Sequence, residues 1–326
     1  MPAGSPPTEV DLILDRALHR RPLDDPVSPG YSGATLERLE LVDGGRAVLK
    51  RARPETDLAM QATDDPGRAY LFWAQGIYEQ MPASIDNGIL AVDRSDGEWR
   101  MVMRDVSASL LPDGEPISRE AGRRILAAMA DLHAAFAGNA PADCTTIENH
   151  LTLFSRATMG KYAGGPNPLP GHALEAWDRF DAVALPALRE AVHAIHAGPG
   201  PLADLLRAAG TTLTHADLAF PNIGLADRVV MLDFALACAA PGDLDFAIFL
   251  VQSDGQVDAE PDDLVTDWIE VSGRPDPVAL RRALLAAFVE YGCWKAPDGP
   301  SQYSASFDWW QDTALRAVHE FAPESA

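Results

Sequence analysis

The sequence is poor in cysteine and in basic residues. Its three cysteines, Cys144, Cys238 and Cys293, are odd in number and far apart, with no CxxC spacing. This excludes a disulfide framework, argues against a zinc site and predicts a reducing, cytoplasmic setting. Only 26 Lys and Arg residues stand against 48 Asp and Glu, which gives a formal net charge of −22. Because nucleic acid repels an acidic surface, we expect no nucleic-acid partner.

Long hydrophobic runs are also missing. Fully apolar runs such as Phe246–Val251 are far shorter than the roughly 20 residues that a membrane helix requires. Residues 1–8 are polar and rich in proline, without the basic start or the apolar core of a signal peptide. We therefore expect neither membrane association nor export. What the chain does contain is 47% hydrophobic residues in 326 positions, enough for a sizeable core and for two domains or lobes.

The first part of the chain combines strand-like and helical patterns, with strands dominant. Apolar residues at helical spacing and alternating segments around Gly-containing turns are the signals. The predicted elements are a helix over Val10–Leu18, a β-hairpin formed by Ala34–Val42 and Arg46–Lys50, a helix over Gly67–Met81, and strands at Ile89–Val92 and Trp99–Met103.

Beyond a junction at Arg104–Leu111 the pattern is mostly helical. The predicted helices cover Arg119–Phe136, with Ser118 as N-cap, Ala173–His196, Leu264–Val271 and Val278–Tyr291; a strand–turn–strand segment covers Thr211–Leu236. The sequence thus predicts a small β-rich lobe followed by a larger helical lobe.

One segment in the second half carries recognisable chemistry. Asp217 and Asn222 lie five residues apart in a loop, and Asp233 follows an apolar strand-like run. Burying an ionised carboxylate costs several kcal/mol unless it is paired, so an aspartate that ends a hydrophobic strand needs a partner. Mg²⁺ is a suitable one, because it takes oxygen ligands and joins one or two side chains to phosphate oxygens.

Two sequence blocks resemble a known family. HADLAFPN, residues 215–222, is similar to the HGDLxxxN form of the aminoglycoside phosphotransferase family of protein-kinase-like small-molecule kinases. LDFALACAAPGDLDFA, residues 232–247, resembles that family's IDWxxAxxGDPxxDLA stretch. The resemblance implies an α+β, bilobal, protein-kinase-like fold, with a β-rich nucleotide-binding lobe over residues 1–106 and a mostly helical catalytic and substrate-binding lobe over residues 107–326.

By position, the resemblance implies a role for each polar residue of this segment. Asp217 would be the catalytic base that accepts the proton of the substrate hydroxyl, and His215 would brace the catalytic loop by hydrogen bonding. Asn222 and Asp233 would hold Mg²⁺ on the phosphates of ATP or GTP. Phosphoryl transfer needs mainly in-line positioning and charge neutralisation, which two carboxylates and an amide can supply.

The first part of the chain offers matching nucleotide contacts under the same resemblance. Lys50 ends the segment AVLK, which is similar to the VAIK strand whose lysine contacts the α- and β-phosphates. The turn at residues 30–33 lies where the family has its phosphate-covering loop, and residues 101–106 resemble its LLLEDL hinge. The implied nucleotide-binding residues are Lys50, Ser32, Gly33, Met103, Asp105 and Val106.

One position departs from the family pattern. Ala69 stands where the carboxylate partner of the lysine is expected, and Glu79 lies further along the predicted helix. Asp64 or Asp65 would then have to reach Lys50. The departure leaves open a catalytically impaired nucleotide-binding protein as an alternative to an active kinase.

Three further polar residues are expected to be structural. His133 is predicted to be a satisfied core histidine, Asp243 to cap a helix over Asp245–Val251, and Asp245 to hydrogen-bond the backbone of the catalytic loop.

A run of acidic residues after the second block has two interpretations. It is either a solvated face of an acidic protein or a negatively charged lining for a cationic substrate. The residues are Asp254, Asp258, Glu260, Asp262 and Asp263.

The sequence therefore predicts a cytoplasmic, Mg²⁺-dependent kinase, monomeric or homodimeric, that phosphorylates a hydroxyl of a small molecule, which could be cationic. A polar antibiotic such as an aminoglycoside is the leading acceptor, and a metabolite kinase of the choline, sugar or homoserine type is the alternative. The acceptor and the preference for ATP or GTP stay open. The segment Cys144–Pro170, where the resemblance places loops that set acceptor specificity, contains no signal for the acceptor.

Overall fold

The N-terminal lobe of the computed structural model is built on a five-stranded antiparallel sheet. The structure describes residues 6–23, 32–112, 115–273, 276–297 and 306–321. The sheet has the order β1-β2-β3-β6-β5. The lobe comprises α1 (Glu9–Asp15), β1 (Ala17–Pro22), β2 (Thr35–Leu41), β3 (Arg46–Ala52), α2 (Leu58–Ala62), α3 (Arg68–Ala74), β4 (Ile85–Asp86), β5 (Ile89–Ser95) and β6 (Glu98–Arg104).

The C-terminal lobe is mostly helical, with short strand pairs next to the sheet lobe. Its strands are β7 (Ile117–Ser118), β8 (Thr212–Thr214), β9 (Ile223–Leu225), β10 (Val229–Met231), β11 (Cys238–Ala240) and β12 (Val257–Asp258). Its helices are α4 (Arg119–Ala135), α5 (Ile147–Thr152), α6 (Arg156–Tyr162), α7 (Leu169–Val183), α8 (Pro186–Ala197), α9 (Gly200–Arg207), α10 (Gly242–Gln252), α11 (Pro261–Ser272), α12 (Pro277–Lys295) and α13 (Phe307–Phe321).

Two hydrophobic cores position the site between the lobes. The smaller core lies between α1 and the sheet and includes Val10, Leu39 and Leu49. The larger core fills the C-terminal lobe around α10, which is apolar on all sides and packs against α4 and α12. In the part of the chain that the structure describes, no helix combines the length and apolar character that crossing a membrane would need.

Several predicted elements are confirmed, among them the β2–β3 hairpin and the β5–β6 pair. Helix α4 begins as expected, with the Ser118 side chain accepting a hydrogen bond from the backbone N–H of Ala121. The segment predicted to be strand–turn–strand contains β8, β9 and β10, with residues 215–222 between β8 and β9.

Other boundaries are corrected. The first helix ends at Asp15, and β1 follows where the helix was expected to continue to Leu18. The helix predicted to reach Met81 ends at Ala74, because Gly76 adopts a left-handed conformation with φ +68°. Pro186 divides the helix predicted over Ala173–His196 into α7 and α8, since proline cannot continue a helix. The segment Cys144–Pro170 contains α5 and α6.

Candidate active site

A cavity of about 510 Å³ lies beneath the sheet and is lined by residues of both lobes. Side chains alternate between the two faces of β3: Ala47 and Leu49 enter the smaller core, whereas Val48, Lys50 and Ala52 line the cavity. Period-2 alternation therefore brings Lys50 to the side of the sheet that faces the C-terminal lobe.

A buried carboxylate on α10 fixes the loop that follows β8. Asp245 Oδ2 accepts a hydrogen bond from His215 N at 2.9 Å, and Oδ1 accepts one from Ala216 N at 2.7 Å. His133 Nε2 lies 2.9 Å from Asp245 Oδ2. Burial opposes ionisation of Asp245, but the hydrogen bond with His133, the charges of His133 and His215 and the backbone hydrogen bond from Ala216 together lower the pKa of this carboxyl. These contacts hold Ala216 in a left-handed conformation, φ +59°, and confirm the backbone contact predicted for Asp245.

Asp243 does not cap α10, which is a correction to the sequence interpretation. The N-cap position is Pro241, and Asp243 Oδ1 accepts a hydrogen bond from Trp268 Nε1 at 2.7 Å. The neighbouring Gly242 packs directly on the ring of His133, 2.5 Å from where a Cβ atom would lie, so a larger residue would displace that ring.

His215 links the loop of residues 215–222 to the end of the hairpin at Leu232. Its Nε2 donates to the carbonyl oxygen of Leu232 at 2.7 Å, and its Nδ1 accepts from the backbone N–H of Asp217 at 3.3 Å. Burial lowers the pKa of His215, which favours the neutral ring that this pair of hydrogen bonds requires. The side chain is fully buried, so its geometry is that of a brace.

The carboxylate of Asp217 is held at both oxygens. Asn222 Nδ2 donates to Asp217 Oδ2 at 3.2 Å and to its backbone carbonyl at 2.9 Å, while Gln252 Nε2 donates to Oδ1 at 2.8 Å. Burial raises the pKa of Asp217 to about 7, against the opposing effect of the Gln252 hydrogen bond. A carboxyl group with a pKa near neutrality is suited to accept a proton from a hydroxyl.

Asp233 follows β10 and meets Lys50 across the cavity. Lys50 Nζ lies 2.6 Å from Asp233 Oδ2. Burial alone would lower the pKa of Lys50 and raise that of Asp233. The attraction between the two charges, with their hydrogen bond, reverses both effects, so the pKa of Lys50 is raised and that of Asp233 is lowered. Asp233 is left-handed, with φ +65°, a conformation that aspartate tolerates better than most residues.

The predicted nucleotide-binding residues differ in whether they line the cavity. Met103, Val106 and Ser32 line the cavity. Gly33 has φ +95°, and a Cβ atom there would lie 2.4 Å from the carbonyl oxygen of Thr56, so glycine is required for this close approach. Asp105 is not among the lining residues: its carboxylate pairs with Arg38 at 3.3 Å, and its N–H donates to Arg46 O at 3.2 Å. Residues 30 and 31 of the predicted turn lie outside the described residues.

The carboxylates expected to reach Lys50 do not do so. Asp65 accepts hydrogen bonds from the backbone N–H groups of Gly67 and Arg68 and pairs with the Arg68 guanidinium at 3.5 Å. Asp64 and Glu79 are exposed. Ala69 lines the cavity, as its alignment suggested, and contributes no charge there.

A carboxylate that sequence reasoning missed, Asp57, also lines this part of the cavity. It is the N-cap of α2, accepts a hydrogen bond from Met60 N at 3.0 Å, and is only 4% exposed. Burial raises its pKa, partly offset by this hydrogen bond and by the charge of Lys50. Its Asp-x-x-Met spacing ahead of a short helix is the only sequence signal that could have indicated it.

Arg68 is a second residue that sequence reasoning missed. It is 2% exposed, lines the cavity, and hydrogen-bonds the carbonyl oxygens of Asp143, at 2.9 Å, and Ala235. It therefore ties α3 to the segment that follows Asp233. An arginine in a helical pattern gives no sign of such burial, because its partners are backbone atoms distant in sequence.

The acidic run after α10 is largely used within the fold. Asp254 pairs with Lys295 at 2.9 Å, Asp263 pairs with Arg119 at 2.9 Å, and Asp262 accepts a hydrogen bond from Trp309 Nε1 at 3.0 Å. Asp258 and Glu260 are exposed. Apart from Asp254, which is buried beside Lys295, the run fits the solvated-face interpretation better than a lining for a cationic substrate.

The oxygen atoms at the cavity floor suit a hard cation. The Asn222 amide nitrogen contacts two oxygens of Asp217, which leaves its amide oxygen available as a ligand atom. Asn222 and Asp233 both line the cavity. Within the described ranges, no group of three or more His, Cys, Asp and Glu side chains could hold a metal by itself. Two protein oxygens completed by phosphate oxygens are the arrangement expected for Mg²⁺.

Solved structures of similar fold include the choline kinase LicA from Streptococcus pneumoniae, with 12% sequence identity, a TM-score of 0.54 and 94% of each chain covered. The aminoglycoside phosphotransferase APH(3'')-Id from Streptomyces rimosus ATCC10970, in complex with ADP and streptomycin, has 17% identity and a TM-score of 0.50, covering 81% of this chain and 95% of its own. At these identities the likeness is one of fold, and it confirms the α+β, bilobal, kinase-like architecture.

No curated protein matches this sequence. The match to the Phosphotransferase enzyme family, APH, spans residues 25–283, more than half of the chain, and shows that the protein belongs to this family.

Proposed function

We propose that this phosphotransferase moves the γ-phosphate of ATP or GTP to a hydroxyl group of a polar small molecule. The observation that carries the proposal is that Lys50, Asn222 and Asp233 line one cavity, with Lys50 and Asp233 2.6 Å apart. Asp217 lies directly behind this lining, hydrogen-bonded to Asn222 at 3.2 Å. A positive side chain, a base and two oxygen ligands are the parts that phosphoryl transfer requires.

In the proposed reaction, Oδ2 of Asp217 accepts the proton of the acceptor's hydroxyl group while the hydroxyl oxygen of the acceptor forms a bond to the γ-phosphorus. The bond from the γ-phosphorus to the bridging oxygen breaks, and a nucleoside diphosphate leaves. A bound Mg²⁺ would neutralise charge on the β- and γ-phosphates and orient them. Asn222 and Asp233 would hold that ion, and His215 would keep the loop in place from behind.

Lys50 would contact the α- and β-phosphates, and we assign its second carboxylate neighbour to Asp57. Among the carboxylates that raise the pKa of Lys50, Asp57 has a smaller effect than Asp233 and a larger one than Asp217. Ser32, in the loop that precedes β2, also hydrogen-bonds the Asp57 carboxylate. Asp57 would therefore keep Lys50 oriented when Asp233 engages the metal, a task that Ala69 cannot perform.

Asp57→Asn is expected to weaken nucleotide binding while leaving the fold intact. Asparagine is as good an N-cap as aspartate, so α2 keeps its cap and only the charge near Lys50 is lost. We expect the Kd for the Mg²⁺–nucleotide complex to rise about three- to tenfold, or about 0.7–1.4 kcal/mol. Calorimetric titration measures it, with Asp64→Asn, an exposed acid on the same segment, as the matched control. Equal affinities of Asp57→Asn and the wild type would remove Asp57 from this role.

For the acceptor, we propose a polar antibiotic, with a metabolite of the choline type as the second candidate. The solved structures of similar fold include one in complex with streptomycin and one named a choline kinase, and these two names set the first members of a test panel. The acidic run argues little for a cationic acceptor, because Asp254 and Asp263 are already paired.

The decisive experiment measures phosphate transfer from labelled ATP and GTP to a panel of aminoglycosides, other hydroxylated antibiotics, choline, sugars and homoserine. Transfer to one acceptor class, absent in Asp217→Asn, would support the proposal and identify the substrate. Nucleotide binding without transfer to any member would instead favour the nucleotide-binding protein without turnover that Ala69 left open.

A further inference from the structure

The Asp217 carboxylate is anchored from the C-terminal lobe by a residue outside the catalytic segment. Gln252, the last residue of α10, donates from Nε2 to Asp217 Oδ1 at 2.8 Å. The same nitrogen lies 3.1 Å from the hydroxyl oxygen of Tyr291 on α12. One amide group thus joins the catalytic loop to two helices of the core.

The orientation of this amide is fixed by its neighbours. Both hydrogens of Gln252 Nε2 are engaged, whereas its Oε1 is buried without a hydrogen-bond partner among the described residues. Rotating the amide by half a turn would place Oε1 against Asp217 Oδ1, and two acceptors repel each other when the carboxylate is ionised. Leaving one buried acceptor unpaired is a cost that the contact with Asp217 offsets.

A buried polar chain supports Gln252 from behind. The Tyr291 hydroxyl hydrogen-bonds the Glu290 carboxylate. Glu290 Oε1 lies 3.0 Å from His150 Nδ1, and His150 Nε2 donates to Leu236 O at 2.8 Å. Glu290 and His150 are each 1% exposed. Because these side chains lie on packed helices, the position of the Gln252 amide is set by the core and not by a mobile loop.

The consequence concerns which oxygen of Asp217 can act. Gln252 holds Oδ1, and Asn222 Nδ2 approaches Oδ2 from the loop side, so the carboxylate cannot rotate freely. Oδ2 keeps a lone pair for a further donor. We propose that Gln252 is a positioning residue for the transfer reaction, which orients Asp217 so that Oδ2 meets the acceptor hydroxyl; this inference rests on the proposed function.

The test compares Gln252 with Gln256, a buried glutamine in the turn that follows α10. Gln252→Met keeps the volume of the side chain and removes its donor. Gln256→Met makes the same change at a side chain that donates to the Gln252 backbone oxygen at 3.2 Å and not to Asp217. A misplaced base typically costs about 10²-fold in rate, so we expect kcat for Gln252→Met to fall about 10- to 100-fold. The KM for nucleotide and the melting temperature should stay near the wild-type values, and Gln256→Met should stay within about twofold of wild type.

Tyr291→Phe supplies a second variant that frees Gln252 from its outer partner. We expect a smaller fall in kcat, about threefold, again with an unchanged KM for nucleotide. A wild-type kcat in Gln252→Met, or equal losses in Gln252→Met and Gln256→Met, would overturn the assignment. So would a poorly folded Gln252→Met together with a Tyr291→Phe of wild-type kcat. Wild type and Asp217→Asn are assayed in parallel: if both transfer phosphate equally, the proposed base is wrong, whereas an inactive Asp217→Asn beside a fully active Gln252→Met contradicts this inference alone.

Discussion

Asp217→Asn is expected to abolish phosphate transfer and to leave nucleotide binding nearly unchanged. General-base catalysis contributes about 10²- to 10⁴-fold, and an amide cannot take the proton of the acceptor hydroxyl. Asparagine has the size of aspartate, so the change is confined to the hydrogen bonds from Gln252 and Asn222, of which the new amide can accept only one. We therefore expect kcat to fall by at least about 10²-fold, measured with the acceptor found by the panel.

The control for this variant is Asp227→Asn. Asp227 is an exposed acid in the turn between β9 and β10, close to the catalytic segment in sequence. It should retain wild-type kcat. The nucleotide Kd of Asp217→Asn should stay within about threefold of wild type, because the phosphates are held elsewhere in the proposed site. Normal turnover in Asp217→Asn would refute the mechanism.

The catalytic segment is the part of the site most readable from sequence. Asp217 and Asn222 share one loop, and Asp233 follows one hairpin later, so their proximity depends on local structure. The contact of Asp245 with the backbone of that loop was also predictable, because Asp245 lies at a recognisable position in the second sequence block, residues 232–247. Local order along the chain suffices wherever a site is built from a single stretch.

The environment of Lys50 was not readable in the same way. Alignment identified Ala69 and suggested Asp64 or Asp65, but Asp65 is committed to Arg68 and to the backbone at the start of α3. Asp57 reaches the cavity because α2 packs against Phe234–Leu236, the turn that follows Asp233, which is a property of tertiary placement. Gln252 was missed for the same reason: a glutamine at the end of an apolar helix carries no pattern of its own.

Secondary structure shows a similar division. Helix α4 was predicted correctly from its apolar spacing and its Ser118 cap, both of which are local. Strand β1 was missed because nearly all of its residues are exposed, so it has no buried face to produce alternation. Strand β1 pairs with β2 through five residue pairs, from Ala17↔Leu41 to Pro22↔Glu37, with a register shift between Ala17 and His19. This pairing depends on backbone hydrogen bonds, which leave no pattern in the side-chain sequence.

Asp233→Asn is expected to remove most of the magnesium dependence of nucleotide binding. Asparagine accepts the left-handed backbone at φ +65°, so the substitution removes a charge without forcing the loop to change. Loss of the ion pair with Lys50, 2.6 Å in length, leaves the lysine free to bind phosphates, which favours metal-free nucleotide. Loss of the anionic ligand disfavours the Mg²⁺ complex.

These two effects act in opposite directions, so the informative quantity is the ratio of nucleotide Kd values with Mg²⁺ and with chelator. In the wild type we expect Mg²⁺ to tighten binding, and in Asp233→Asn we expect the ratio to change by at least about tenfold toward equality. The metal-free titration of each protein is its internal control, because it reports Lys50 and the cavity without the ion. An unchanged ratio would remove Asp233 from the proposed metal site. If the two Kd values also become equal in Asn222→Ala, the amide of Asn222 and the carboxylate of Asp233 both bind the ion.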